Sequence, residues 1–276
     1  MLNSYIYARR AKVWLAALVV GSAACAAHAD ITTGLVVQYA LDGNANDASG
    51  SYPGTAANVS YVTGKIGQAA SFNDASSSIT VSSLAGVLPT GSSARTVAFW
   101  MNSSSTASNG NMVSWGARVA NQRFSALQEN GGFLRMIGES NDSNSTANLG
   151  SNVWHHVVLT YSGNTLTYYV DGALNSTVTL ATALATSAAY GLRMGVNALP
   201  SNDEYYGGLL DEVRVYNRVL TAADVAELYA YQGPVTVAPV AAVTPQPVPT
   251  QSTWLLGLMG AAMAGLVAWR RRRSHR

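Results

Sequence analysis

The chain has 276 residues, 48% of them hydrophobic, with one cysteine and a formal net charge of +2. That sum misrepresents the body of the protein: Arg9, Arg10, Lys12, Arg270–Arg273 and Arg276 sit at the two ends, and between Asp30 and Thr253 eight basic residues face all fourteen Asp and Glu, a balance of −6. An acidic, lysine-poor body lacks the electrostatic footprint of a nucleic-acid binder, and one cysteine excludes an intrachain disulfide framework.

The first predicted element is a secretory signal peptide over residues 1–29. Arg9, Arg10 and Lys12 precede the apolar run Val13–Val20, and Ala27-His28-Ala29 offers small residues for cleavage before Asp30. A membrane-spanning anchor is the other reading, but the run is short of the roughly 20 residues a bilayer requires. Cys25 lies inside this segment, so the exported chain carries no cysteine. A lipidated Cys25 would want a large apolar residue three positions earlier, where Ser22 stands.

Residues 30–232 read as one domain built of short strands. Runs with period-two alternation are predicted over 35–40, 69–72, 79–81, 96–101, 111–115, 123–128, 132–137, 154–161, 165–170, 177–180, 191–196 and 209–216, with turn residues between almost every pair. The clearest pair is Trp154–Gly172. Val157, Leu159 and Tyr161 alternate with Val158 and Thr160, Ser162-Gly163-Asn164 turns the chain, and Leu166, Tyr168 and Val170 resume the pattern. The fold class that follows is all-β, a two-sheet antiparallel sandwich. One helix is predicted, over 222–229, with Thr221 as N-cap, Asp224 closing a capping box and Leu220 stapled onto Val225.

After Gly233 the composition shifts to a proline-rich spacer over 233–250, which favours extended, semi-rigid chain. The segment 251–276 holds a second apolar run, Trp254–Trp269, followed by four consecutive arginines, a pattern that leaves everything before it outside the cytoplasm.

Two resemblances arise from these residues. Trp154-His155-His156-Val157 with Tyr169-Val170-Asp171-Gly172, then Leu210-Asp211-Glu212-Val213-Arg214-Val215-Tyr216-Asn217-Arg218, together with Leu41–Gly50 and Gly64–Phe72, resemble the laminin-G-like jelly roll of the concanavalin A-like lectin/glucanase superfamily over about Gly34 to Tyr231. The resemblance implies a jelly-roll sandwich. It also implies carbohydrate-binding, adhesive or glycosidase activity, and often bound calcium. Val248-Pro249-Thr250 and Trp254 before the apolar run resemble the tripartite C-terminal sorting signals of Gram-negative bacteria. In that family a membrane protease removes the tail on the way to the cell surface, so a membrane and a sorting protease are expected partners. A plain single-pass anchor gives the same topology.

Several residue groups are candidate sites. Asp42, Asn44, Asn46 and Asp47 place oxygens at close intervals around Gly43, as a hard cation such as Ca²⁺ requires, and a jelly roll brings its first and last strands together, which would carry this loop near Asp211. The alternative is an Asx-rich turn whose side chains bond backbone amides. For sugar, Tyr205, Tyr206 and Asp203 are the expected exposed ligand-binding residues, with Trp100 and Trp115 as aromatic candidates expected mostly in the core and Arg118, Arg123 and Arg135 as nearby donors. His155 and His156, the histidines of the predicted domain, argue for a fold role, one ring packed or bonded and one near the surface, over a zinc site. No run of three carboxylates at alternate positions supplies a glycosidase dyad. Asp203-Glu204 and Asp211-Glu212 are sequence neighbours, which face opposite sides of a strand. The resulting expectation is a non-catalytic module that recognises extracellular glycan or matrix polymer. A structural matrix protein is the second expectation and a polysaccharide hydrolase the third.

Overall fold

The computed structural model describes residues 30–198 and 203–233. The expected signal peptide, most of the spacer and the C-terminal sorting segment lie outside the described residues. Among the described residues no helix is long and apolar enough to cross a membrane.

Among the described residues fifteen strands form two antiparallel sheets. In chain order they are β1 Leu35–Tyr39, β2 Thr55–Ala57, β3 Ser60–Thr63, β4 Gln68–Asn73, β5 Ser78–Val81, β6 Arg95–Ser103, β7 Gly110–Gly116, β8 Arg123–Gln128, β9 Phe133–Ile137, β10 Ser143–Asn148, β11 His155–Ser162, β12 Thr165–Val170, β13 Ala173–Thr179, β14 Leu192–Met194 and β15 Gly207–Tyr216. The first sheet runs β13-β12-β11-β6-β15-β4-β3, with β1 also on β15; the second runs β10-β9-β8-β7-β14-β5-β2. The last strand is therefore central: it pairs with β6 along one side, while β4 and β1 pair with its first and second halves. This is the expected two-sheet sandwich, and its first and last strands do adjoin, Val37 opposite Val215 and Tyr39 opposite Val213.

Alternation explains the layer between the sheets. Val97, Phe99 and Met101 of β6, Val157, Leu159 and Tyr161 of β11, Leu210, Val213 and Val215 of β15, Phe124 and Ala126 of β8, Leu134 and Met136 of β9, and Leu192 and Met194 of β14 all enter one buried cluster. Arg95 is buried against it because its guanidinium is spent on carbonyls, those of Ser93, Pro89, Thr90 and Gly91, and lies over the Tyr161 ring at 5.1 Å. On the outer face of the first sheet a smaller cluster of Ala98, Val158 and Tyr216 is covered by Leu220, just before helix α1, Ala222–Ala230, and by Val225 and Leu228 of that helix. That helix begins with the predicted capping box between Thr221 and Asp224.

Three strands escape a hydrophobic reading. β10 is Ser-Asn-Ser-Thr-Ala-Asn, yet Ser143, Ser145 and Ala147 alternate inward and Ser145 Oγ donates to the Leu134 carbonyl at 2.9 Å, so small hydroxyls stand where apolar residues normally do. β2 and β3 are short, largely exposed outermost strands whose order comes from pairing with β5 and β4.

Candidate functional site

The two sheets treat their outer faces differently. That of the first sheet is covered by α1 and its apolar cluster. That of the second carries the residues alternating with its core positions, and they are polar: Thr80 beside Ile79, Arg193 between Leu192 and Met194, Arg123 and Ser125 around Phe124. Register aligns them. Thr55 pairs with Thr80, Thr80 with Arg193, Arg193 with Ser114 and Ser114 with Ser125, a row across five strands and roughly 19 Å at the usual inter-strand spacing.

At the β7–β8 end this row is roofed by the protein's own loops. Arg123, 1% exposed, donates from Nη1 to Glu139 Oε1 at 2.7 Å and from Nη2 to Asn111 Oδ1 at 2.5 Å and Glu204 Oε2 at 3.2 Å. Asn111 returns its Nδ2 to the same Glu204 oxygen at 2.7 Å, and Ser125 Oγ donates to Asn111 Oδ1 at 2.5 Å. Above them Arg118 Nη1 pairs with Asp203 Oδ2, and Asn197 Nδ2 donates to Asp203 Oδ1 at 2.6 Å. Arg193 donates to the Asn197 carbonyl at 2.7 Å; burial lowers the pKa of its guanidinium, while nearby Tyr205 pulls the other way.

Of the residues expected to bind ligand, Asp203 and Tyr205 stand at the rim of this face, Asp203 with a side chain 48% exposed. Tyr206 corrects the expectation of exposure. It is 1% exposed and packs 6.3 Å from the Phe72 ring in the segment before β15, where its amide donates to the Gly195 carbonyl at 3.0 Å, and burial raises its phenol pKa strongly. Trp115 is core, as expected, with Nε1 donating to the Pro89 carbonyl at 3.0 Å. Trp100 is buried but not between the sheets: alternation with Phe99 and Met101 puts it on the opposite face, 5.1 Å from the His156 ring and stacked 5.4 Å from Tyr229. Arg135 pairs with Glu129 and Asp142, away from the row. Asn111, Glu204 and Arg193 were missed as members of this face. Their signal was weak: Arg193 stands between two apolar residues, but Asn111 follows Gly110 and Glu204 follows Asp203, and only the tertiary structure brings them to one face.

The oxygen-rich loop lies elsewhere and is a set of turns. Asp42 Oδ1 accepts from the Gln68 amide at 2.6 Å, Asn44 Oδ1 from the Asn46 amide at 2.8 Å, and Asp47 from the amides of Ser49 at 3.0 Å and Tyr52 at 2.6 Å. The expected approach to Asp211 exists: its Oδ2 accepts from the Lys65 and Ile66 amides, both at 2.9 Å, so Asp42 and Asp211 grip one turn, Gly64–Gln68, between them. A Cβ on Gly67 would strike Asp42, and its φ of +58° suits glycine. Among the described residues no group of three His, Cys, Asp or Glu is gathered as a metal site would need. The histidines divide as expected, His156 buried against Trp100 and His155 Nδ1 within 2.8 Å of Asp171 Oδ2.

No curated protein matches the sequence. Among solved structures the chain is similar to domain 4 of AbnA, a GH43 extracellular arabinanase from Geobacillus stearothermophilus, solved in complex with arabinotriose, at 24% identity and a TM-score of 0.60 over 71% of this chain and 98% of that one. It is also similar to the binding domain of Paraclostridial Mosquitocidal Protein 1, at 17% identity and TM-score 0.57, over 72% of this chain and 52% of that one. The binding domain of Botulinum neurotoxin DC, solved with rat synaptotagmin II, follows at 14% identity and TM-score 0.55, over 73% and 52%. The chain thus spans about half the length of the toxin binding domains, and at these identities the likeness shows the fold alone. The same conclusion follows at the level of sequence, where the profile of the concanavalin A-like lectin/glucanases superfamily matches residues 72–226, and the chain belongs to that superfamily.

Proposed function

We propose that the domain is a non-catalytic extracellular module that recognises carbohydrate on the outer face of its second sheet. The observation that carries this reading is the asymmetry of the sandwich: a helix covers one outer face, and the other is left polar, with Tyr205, Asp203 and Arg118 at its rim. The arabinotriose held by the arabinanase domain supports a sugar as the ligand class. Carboxylates beside the face are committed to Arg118 and Arg123, which supports recognition over hydrolysis. In the same reading the Asp42–Asp47 loop braces its turns without an ion. The setting is outside the cell, reached through the N-terminal export signal, with the C-terminal segment holding the chain at a membrane until a sorting protease releases it to the surface.

Saturable, sugar-competed binding of the purified protein on a glycan array is the expected result, weakened about tenfold by Tyr205→Ala. Silence across the array overturns it. A second reading, a protein-contact module of an extracellular matrix, draws on strand β13, seven residues without a charge at an edge of the first sheet, where soluble proteins commonly place lysine or proline.

A further inference from the structure

The row on the second sheet is roofed only at one end. At the other, where β2 and β5 form the edge, the chain leaves a cleft of about 530 Å³ lined by Ser51, Pro53, Thr55, Thr80, Ser82 and Ser83, within the size range of small-ligand sites. Five of its six lining residues carry a hydroxyl, and none carries a charge. Among the described residues no protein group hydrogen-bonds any of these five hydroxyls, in contrast to Ser114 and Ser125 further along the sheet, which donate to the Val196 carbonyl at 3.0 Å and to Asn111 Oδ1 at 2.5 Å. Thr55 and Thr80 are directly paired across strands, and Thr80 is paired with Arg193, so the cleft is the open continuation of the roofed polar face.

Charge selects the ligand class. Every Lys and Arg between Asp30 and Thr253 is engaged within the domain. Arg118, Arg123, Arg135, Arg214 and Arg218 pair with carboxylates. Arg95 and Arg193 bond carbonyls, and Lys65 lies 4.5 Å over the Trp100 ring. With a surplus of carboxylates over cations and none of its six lining residues cationic, the cleft offers no ion pair to a uronate, sulfate or phosphate, and the domain's field repels a polyanion. A ring of hydroxyls is matched by a ligand whose own groups are hydroxyls, while Pro53 and the threonine methyls meet its C–H faces.

Resting on the reading of the domain as a glycan module, we infer that this cleft is a subsite for an uncharged sugar chain, held by the Ser and Thr hydroxyls and not by ion pairing. The experiment titrates the purified protein with arabinan and dextran as neutral probes and polygalacturonate as an acidic one, at low and high NaCl. The variants are Thr55→Val/Thr80→Val, which removes two hydroxyls at nearly constant shape, and Ser82→Ala/Ser83→Ala at exposed positions, which carries the test if the first variant does not fold. Thr177→Val on β13 is the matched control. Expected is binding to a neutral probe that is indifferent to salt, weakened about tenfold in the cleft variants and unchanged in the control. Neutral-glycan binding that the cleft variants leave intact overturns the subsite while the module reading stands. Preference for polygalacturonate that fades with salt overturns the neutral class. No binding to any probe, together with silence on the array, overturns the module reading itself.

Discussion

Asp211 and His156 show how one environment moves two residues in opposite directions. Both flank Trp100, Asp211 and His156 each paired across a strand with it. Burial pushes the Asp211 carboxyl up to about 7, with Glu212 adding to the shift and the Ile66 and Lys65 amides opposing it. Burial lowers the His156 imidazole to about 4, helped by Arg214. Folded Asp211 keeps a proton that the unfolded chain, at its ordinary 3.8, has released, so its contribution to stability falls as pH rises from about 4 to 7. Folded His156 refuses a proton that the unfolded chain takes up near 6.5, so its contribution is lost as pH falls from about 6.5 to 4. The slopes oppose one another. Relative to wild type, Asp211→Asn is therefore expected to gain stability with rising pH across that window and His156→Gln to lose it, measured as urea midpoints; differences from wild type that run parallel would refute the assignment. Asp42→Ala tests the turn reading of its loop. Loss of the carboxylate that holds the Gln68 amide costs about 1–3 kcal/mol, and the thermal midpoint drops equally in calcium and in EDTA. A drop confined to calcium would restore an ion to that loop.

At the scale of elements, the legible ones were those with local signals. Helix α1 has its cap, box and staple within six residues of sequence, Thr221 accepting from the Asp224 amide and Leu220 packed in one cluster with Val225. Thr221→Ala should cost about 1 kcal/mol in chemical denaturation; no loss would show that Leu220, Val225 and Leu228 hold the helix unaided. β10 was illegible because Ser143, Ser145 and Ala147 alternate by burial without alternating by hydropathy. Its neighbour in space, β13, is joined to it by Asn175 Oδ1, which accepts from Thr146 N at 3.2 Å and Thr146 Oγ1 at 3.1 Å. The edge that β13 presents bears on the matrix reading. Leu174, 62% exposed there, is a position where Leu174→Lys should abolish any concentration-dependent self-association seen by light scattering, since a charge on an edge opposes pairing with a second copy. Persistence in the variant would rule that edge out.

Over the whole molecule, two long-range facts bear on the proposed function: which outer face is covered, and what the cations are engaged with. Neither is written locally. The alternation of Val157–Tyr161, the Ser162-Gly163-Asn164 turn and the Thr221 cap act over a few residues, so most of the strands, their turns and the sandwich class were determined by the sequence itself, as was the acidic balance between Asp30 and Thr253. The grip of Asp42 and Asp211 on one turn, the transfer of Trp100 to the outer face and the burial of Tyr206 next to half-buried Tyr205 depend on segments far apart in the chain. So does the row from Thr55 through Arg193 to Ser125. Only the tertiary structure decided these, because inter-strand register and the covering of a face arise from pairing and packing between distant segments, while period and capping are properties of neighbours.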